Sequence, residues 1–314
     1  MKQEDVRVTK IFIDGSAGTT GLRIHERLAA RRDLCLLTLS EERRKDPEAR
    51  REALNEADIA FLCLPDVAAE EAVRMTENPA TALIDTSTAH RTADGWVYGF
   101  PELPGQRERI RSSRRIANPG CHASGFIALV APLVMAGILP KSAALSCFSL
   151  TGYSGGGKKM IAEYEAADRD PLLDAPRAYG LGQAHKHLPE MQAICGLRAA
   201  PVFLPVVAPY YAGMEVTVPL VSSRIAGSAD DIRACYRRTY REGLIRYRDG
   251  ADEGGFLSAS AYAGRDDMEV AVFGNGERIL LAARFDNLGK GASGAAIQNM
   301  NLLLGVDERS GLVV

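Results

Sequence analysis

The chain has 314 residues, 25% of them charged, with a formal net charge of −2 and 46% hydrophobic residues. That length suits two domains, and so balanced a charge argues against a nucleic-acid or anionic-membrane partner. The longest apolar run, residues 126–139, contains Pro132 and Gly137 and falls short of the roughly 20 residues a bilayer crossing needs.

The opening MKQEDVRVTK shows neither the apolar run nor the cleavage site of a secretory leader, so a cytoplasmic protein is expected. VRVTKIFIDG reads as a strand ending in Gly15. A helix over 20–30 follows, with Leu22, Leu28 and Ala29 on one side. LCLLTLS, ADIAFLCLP and TALIDTS read as further apolar strands, and RRIANPG as a weaker fifth. Short apolar strands alternating with helical stretches predict an α/β domain with a doubly wound, Rossmann-like parallel sheet, ending near residue 117. Beyond it, ALSCFSLTG, GMEVTVPLVSS and MEVAVFGNGERILLAARFD read as strands of a largely antiparallel sheet. Asn275-Gly276 between alternating apolar runs is a hairpin signal. ADDIRACYRRTYREG predicts a helix between strands, and GASGAAIQNMNLLLG a small-residue helix packing back across the junction. The expected division is 1–117 plus 286–314 for a dinucleotide-binding domain and 118–285 for an α+β domain. The six cysteines form no Cys-x-x-Cys pair. Cys35, Cys63 and Cys147 lie in apolar runs and read as core filler in a reducing compartment.

Gly15, Gly18 and Gly21 follow the first strand with the spacing G-x-x-G-x-x-G. Such glycines permit a tight strand-to-helix turn and close approach of backbone to a pyrophosphate, which the helix start then attracts. A purely structural turn is the alternative. NAD sites place an acidic residue at the end of the second strand, about 20 residues on. Here that strand is expected to end at Ser40, followed by EERRKD. The absent carboxylate, with Arg43, Arg44 and Lys45 nearby, favours NADP, while Glu41 and Glu42 weigh the other way. Ser40 and Arg43 are then candidate cofactor contacts.

In NPGCHASG, Pro119 and Gly120 make a sharp turn that presents Cys121 at the start of a hydrophobic helix. A thiol there is expected to ionise more readily, and the same N–H groups can hold an oxyanion. The competing reading is a buried cysteine. A thiol nucleophile needs a base. Of the five histidines, His25 is expected on the exposed side of the first helix, His90 in a loop, and His122 beside the thiol but free to point elsewhere. His185 and His187, two apart in an extended segment, share a face. Pro189 fits the first turn of a helix starting there, with Glu190 placed to orient an imidazole. A His-x-His metal site needs further ligands and no partner motif is present, so no metal is expected. A structural histidine pair stays open.

Together these segments resemble the N-acetyl-gamma-glutamyl-phosphate reductase family in its shorter form, related to aspartate-semialdehyde and glyceraldehyde-3-phosphate dehydrogenases. The resemblance rests on residues 15–21, IDTSTAHR, VYGFPEL, NPGCHASG, GYSGGGKK, HKHLPEM and DNLGKGASGAAIQNMNLLLG, in family order over nearly the whole chain. It implies a glyceraldehyde-3-phosphate dehydrogenase-like pair of domains, the second also dimerising. It further implies NADP as cofactor, a small-molecule substrate, and a homo-oligomer, dimer or tetramer. Carried over, it makes Cys121 the nucleophile, with His185 or His187 as acid/base residue. Gly15, Ser16, Gly18, Thr19, Thr20, Ser87, Ser154, Gly155, Gln298 and Asn299 would surround the cofactor, and Arg91 and Asn118 the substrate. The sequence departs at FLPVVAPYYAGM, where Val206 stands for the usual histidine and Ala212 for the usual arginine. The implied reaction is NADPH-dependent reduction of N-acetyl-gamma-glutamyl phosphate through a Cys121 thioester, in arginine biosynthesis. The rivals are an aspartate-semialdehyde dehydrogenase-like enzyme, a nucleotide-binding regulator with a vestigial site, and a thiol-dependent acyltransferase without redox chemistry.

Overall fold

The computed structural model describes residues 8–314; Val6 and Arg7 of the expected first strand, and most of the stretch read for a leader, lie outside them. One sheet holds β1 (Thr9–Asp14), β2 (Leu34–Leu37), β3 (Ile59–Leu62), β4 (Ala82–Asp85), β5 (Val97–Tyr98) and β6 (Arg115–Ala117). Its order is β2-β1-β3-β4-β6-β5 and its pairings are parallel. Strands covered on both faces read as continuous apolar runs, and β3 and β4 are buried at every residue. The connections are α1 (Thr19–Leu28), α2 (Pro47–Glu56), α3 (Asp66–Met75) and α4 (Gln106–Arg111). In α1 the buried residues are Gly21, Ile24 and Leu28, while Leu22 is exposed. This corrects the expected face, because 22 and 24 fall on opposite sides of a helix with 3.6 residues per turn. Cys35 is exposed and not core filler, because it points out of β2; Cys147, Cys195 and Cys235 are buried.

The second sheet holds β7 (Ser146–Gly152), β8 (Arg177–Ala178), β9 (Val202–Ala208), β10 (Met214–Val221), β11 (Ile245–Tyr247), β12 (Met268–Gly274) and β13 (Arg278–Phe285). Its order is β11-β12-β13-β10-β7-β9-β8. The pairings are antiparallel except β7–β9 and β11–β12. The β12–β13 hairpin turns at Asn275-Gly276, where the Asn275 N–H donates to the Arg278 carbonyl at 2.8 Å.

Helix α5 (Cys121–Met135) lies against one face of this sheet and is buried from His122 to Leu133. Following β7 in the chain are α6 (Gly157–Glu165), α7 (Leu188–Cys195) and α8 (Ala229–Thr239), the last two packing against α5. Gly125 permits the close approach of α5 to the sheet: a Cβ there would stand 2.5 Å from Val216 Cγ2. The opposite face carries exposed Phe148, Val202, Leu204 and Val221. A π-helical turn, Gly289–Ser293, leads into α9 (Gly294–Leu304). Ala296, Ile297 and Met300 of α9 join the core of the parallel sheet beside Ile11, Ile24 and Ile59, so the last helix returns to the first half of the chain.

Candidate active site

At the carboxyl ends of β1, β2 and β3 lies a cleft of about 600 Å³, lined by residues 12–18, 36–39 and 63–65 among others. The chain runs from β1 out to β2 and back past β1 to β3. That is the topological switch point where open parallel sheets take ligands. Gly15 has φ +87°, and a Cβ on it would stand 2.3 Å from the Cys63 carbonyl oxygen. A Cβ on Gly21 would stand 2.5 Å from the Gly15 oxygen, so the turn demands glycine at both places. Gly18 caps α1 without a side-chain bond, and the first turn holds no acidic residue. The helix start therefore keeps free N–H groups for an anion. Ser16 and Gly18 line this cleft, while Thr19 and Thr20 line the next one. Arg44 and Lys45 also line the first cleft; its single carboxylate among the described residues, Asp14, is held by Arg50 at 2.9 Å. A cradle of backbone N–H groups with surplus positive charge fits a phosphorylated dinucleotide. Ser40 and Arg43, expected as cofactor contacts, are not in the lining. β2 ends at Leu37, and a turn in which the Ser40 carbonyl accepts the Arg43 and Arg44 N–H groups sends Arg43 towards Asp46 and Glu52. His25, expected in solvent, is partly buried and lines this cleft.

A second cleft, about 370 Å³, has Cys121 in its wall. Cys121 is the first residue of α5, with Gly120 as an N-cap that offers no side chain. It is partly exposed, and the π-helical turn packs on it: a Cβ at Gly291 would lie 3.0 Å from Cys121 Cβ. Burial pushes the thiol pKa up, against the Arg91 guanidinium and the His122 backbone N–H, which pull it down. Desolvation thus works against the lowering expected from the helix start. The proton stays on sulfur at rest, and attack requires a base.

Arg91 donates to Glu190 Oε1 at 2.7 Å, to the Asn118 carbonyl at 3.1 Å and to the Thr86 carbonyl at 3.2 Å. Glu190 also accepts the Tyr98 hydroxyl at 2.7 Å and the Gly120 N–H at 3.1 Å. It thus pins the turn before the thiol. Its distance to His187 Nε2 is 4.0 Å, beyond a hydrogen bond, so in this structure it does not orient that imidazole as expected. His185 and His187 meet across a turn, not along an extended segment. The His187 N–H donates to His185 Nδ1 at 3.2 Å, and the ring centroids are 4.8 Å apart. His185 Nδ1 is therefore an acceptor, and its neutral ring carries its proton on Nε2. Burial lowers His185 to about 4 and His187 well below the usual range. His187 Nδ1 is buried with no hydrogen-bond partner among the described residues.

A semialdehyde dehydrogenase NAD-binding domain profile matches residues 4–113, and a semialdehyde dehydrogenase dimerisation domain profile matches residues 121–287. N-acetyl-gamma-glutamyl-phosphate reductase 2 of Pseudomonas putida is 47% identical over 313 residues, covering 96% of this chain and 98% of the relative. The protein of that name from Nostoc sp. is 44% identical, covering 96% and 99%. The chain belongs to the N-acetyl-gamma-glutamyl-phosphate reductase family of semialdehyde dehydrogenases. Among solved structures, an aspartate semialdehyde dehydrogenase II from Vibrio cholerae superposes with TM-score 0.72 at 18% identity, covering 95% of this chain and 99% of that one. One from Candida albicans, solved with NADP, gives TM-score 0.66 at 17% identity, covering 95% and 98%. These share the two-domain fold.

Of the other positions carried from the family, Asn118 and Gly155 line the second cleft. Ser87 does not; its hydroxyl is bonded to buried Asp85 at 2.8 Å. Ser154 is buried behind Gly155 and accepts Asn287 Nδ2 at 2.9 Å. Gln298 and Asn299 do not face either cleft, because stronger partners hold them. Gln298 sits in a buried cluster with Glu102, Lys290 and Glu308, and Asn299 donates to the Gly99 carbonyl at 3.0 Å. Val206 lies on the side of β9 away from the cleft, and Val207 lines it. Lys186, Tyr179 and His122 line the cleft without having been expected there. Lys186 was visible inside the HKH segment; Tyr179 had no signal beyond its neighbours. His90 is bonded to Asp85 at 2.6 Å and stacked on Trp96. Among the described residues no group of acidic, histidine and cysteine side chains is gathered for a metal, and no helix is long and apolar enough to cross a membrane.

Proposed function

We propose that the chain reduces N-acetyl-gamma-glutamyl phosphate to N-acetylglutamate semialdehyde and phosphate, in arginine biosynthesis. The observation that carries this is the cleft around Cys121. A thiol at a helix start shares it with Arg91, Lys186 and three imidazoles, and among the described residues no carboxylate lines it. Such a wall suits a substrate that carries both a carboxylate and a phosphate. Identity of 44–47% to reductases of that name, against 17–18% to the aspartate-semialdehyde enzymes, disfavours the nearest rival.

Cys121 attacks the acyl carbon as its proton passes to His187, whose neutral ring lies beside the Gly120 turn. Phosphate leaves towards Arg91 and Lys186, giving a thioester. The glycine loop, with Arg44 and Lys45, would hold NADPH, which would supply the hydride when bound. His185, with its proton on Nε2, donates to the oxygen that develops charge and takes the proton back as the carbonyl re-forms and the carbon–sulfur bond breaks, which releases the semialdehyde and returns the Cys121 sulfur to the proton held by His187; such proton donors contribute typically 10²–10⁴-fold. The free N–H groups of the first turn of α5 support the same oxygen. The reading of two domains, 1–117 plus 286–314 and 118–285, is supported by two sheets with separate cores and by α9 joining the first. The apolar outer face of the second sheet supports a homo-oligomer.

The test is NADP- and phosphate-dependent oxidation of a panel of semialdehydes by the wild type and by Cys121→Ser. N-acetylglutamate semialdehyde is expected to be the preferred substrate, and the variant is expected to bind NADP normally without turnover. Preference for aspartate semialdehyde, or appreciable activity in the variant, would overturn the assignment.

A further inference from the structure

Ser149, His122 and Tyr179 form a hydrogen-bonded line from the core of the second sheet to the cleft. Ser149, on β7, is fully buried, and its hydroxyl lies 2.7 Å from His122 Nδ1. His122 Nε2 lies 2.6 Å from the Tyr179 hydroxyl, and Tyr179 lines the cleft beside Cys121. Burial pushes His122 down to about 3, so the ring is neutral and carries one N–H and one lone pair.

The direction of this line follows from counting donors. His122 Nδ1 is the sole acceptor for the Ser149 proton among the described residues. A buried hydroxyl with its proton unpaired is costly, so Ser149 donates to Nδ1. The ring proton then sits on Nε2 and donates to the Tyr179 oxygen. The Tyr179 proton is left over, and no acceptor for it exists among the described residues. The phenol is held at the edge of the sheet, its own N–H bonded to the Pro205 carbonyl at 3.0 Å.

We propose that Tyr179 is a further catalytic residue, an oriented hydrogen-bond donor to the oxygen of the reacting acyl group, aimed by His122 and Ser149 as positioning residues. This rests on the acyl-phosphate reductase reading above. Burial and the nearby Cys121 push the phenol pKa upward, so Tyr179 keeps its proton and acts by donation, not by proton transfer. Its contact strengthens as charge develops on that oxygen, which lowers the barrier and leaves ground-state binding nearly unchanged.

Two measurements test it. Nitrogen NMR of histidine-labelled wild type is expected to report His122 as the Nε2–H tautomer; the Nδ1–H tautomer would overturn the donor count. Tyr179→Phe is expected to lower kcat by about a hundredfold, the lower range for loss of one such donor, with KM and the shape of the pH–rate profile unchanged. A kcat within twofold of wild type, or a loss confined to KM, would overturn the proposal. A wild type inert towards the acyl phosphate would instead sink the functional reading and with it the acceptor named here, while the tautomer is decided independently.

Discussion

Arg91 and Lys186 are the formal cations of the thiol cleft, and they are not equivalent. Arg91 is committed to Glu190 and two carbonyls, which fixes its plane but offsets its charge. Lys186 lines the cleft with no hydrogen-bond or salt-bridge partner among the described residues. A leaving phosphate therefore meets in Lys186 a cation that no hydrogen bond or salt bridge ties down among the described residues. Lys186→Met is expected to raise KM for phosphate in the oxidative direction about tenfold, the order of one hydrogen bond to a charged group. KM for the semialdehyde and the unfolding midpoint are expected to stay constant. An unchanged phosphate KM would reduce Lys186 to a solvated side chain. At this scale the sequence was legible where chemistry is local. Pro119-Gly120 dictates the turn at Cys121, and Gly15 and Gly21 dictate the first loop. It was not legible where partners come from far along the chain. Nothing near Glu190 announces Tyr98 or Arg91, and nothing near Cys121 announces the burial that raises its thiol.

Helix α5 carries the thiol at one end and spans the core with the rest, so its seating sets the position of the reacting atom. Gly125 lets it settle on the sheet. An added Cβ would stand 2.5 Å from Val216 Cγ2, 2.7 Å from Val216 Cβ and 2.9 Å from Phe285 Cε1. Val216 is a stiff β-branched residue inside β10, so it cannot turn aside cheaply. Alanine would add about 1 kcal/mol of helix propensity, but overpacking a filled core costs typically 1–3 kcal/mol. Gly125→Ala is thus expected to destabilise the protein by up to about 2 kcal/mol in denaturant titration and to depress kcat, since the helix start moves with its body. Equal or higher stability would show that the helix has room to shift. Elements with strong periodicity or a hairpin signal were readable in the chain: β1, β3, β4, α5, α8 and the β12–β13 hairpin. β5 was not, because two residues carry no period. The parallel pairing of β7 with β9 was equally hidden, since it joins strands some fifty residues apart whose alternation is the same for either direction.

Among the described residues helices cover one face of the second sheet, and the other presents apolar side chains. The register makes that surface continuous: Phe148 of β7 stands opposite Leu204 of β9 and Thr217 of β10, and Ser146 stands opposite Val202. Phe148, Val202, Leu204 and Val221 are all exposed. A contiguous apolar patch of this kind marks an interface, and the family profile over 121–287 is that of a dimerisation domain. A second copy of the chain is the occupant that fits, given that a stable pairing buries about 800 Å² on each partner. Light scattering at micromolar concentration is expected to give at least a dimer. Leu204→Lys, at the centre of the patch, is expected to shift it towards monomer. The consequence reaches the chemistry, because β7 places Phe148 outward, Ser149 against His122, and Thr151 and Gly152 in the wall of the thiol cleft. Losing the support behind β7 is therefore expected to lower kcat/KM in the same variant while NADP binding, seated on the other sheet, persists. A wild type that is monomeric, or a Leu204→Lys protein that still pairs, would show that this face is not where two copies meet.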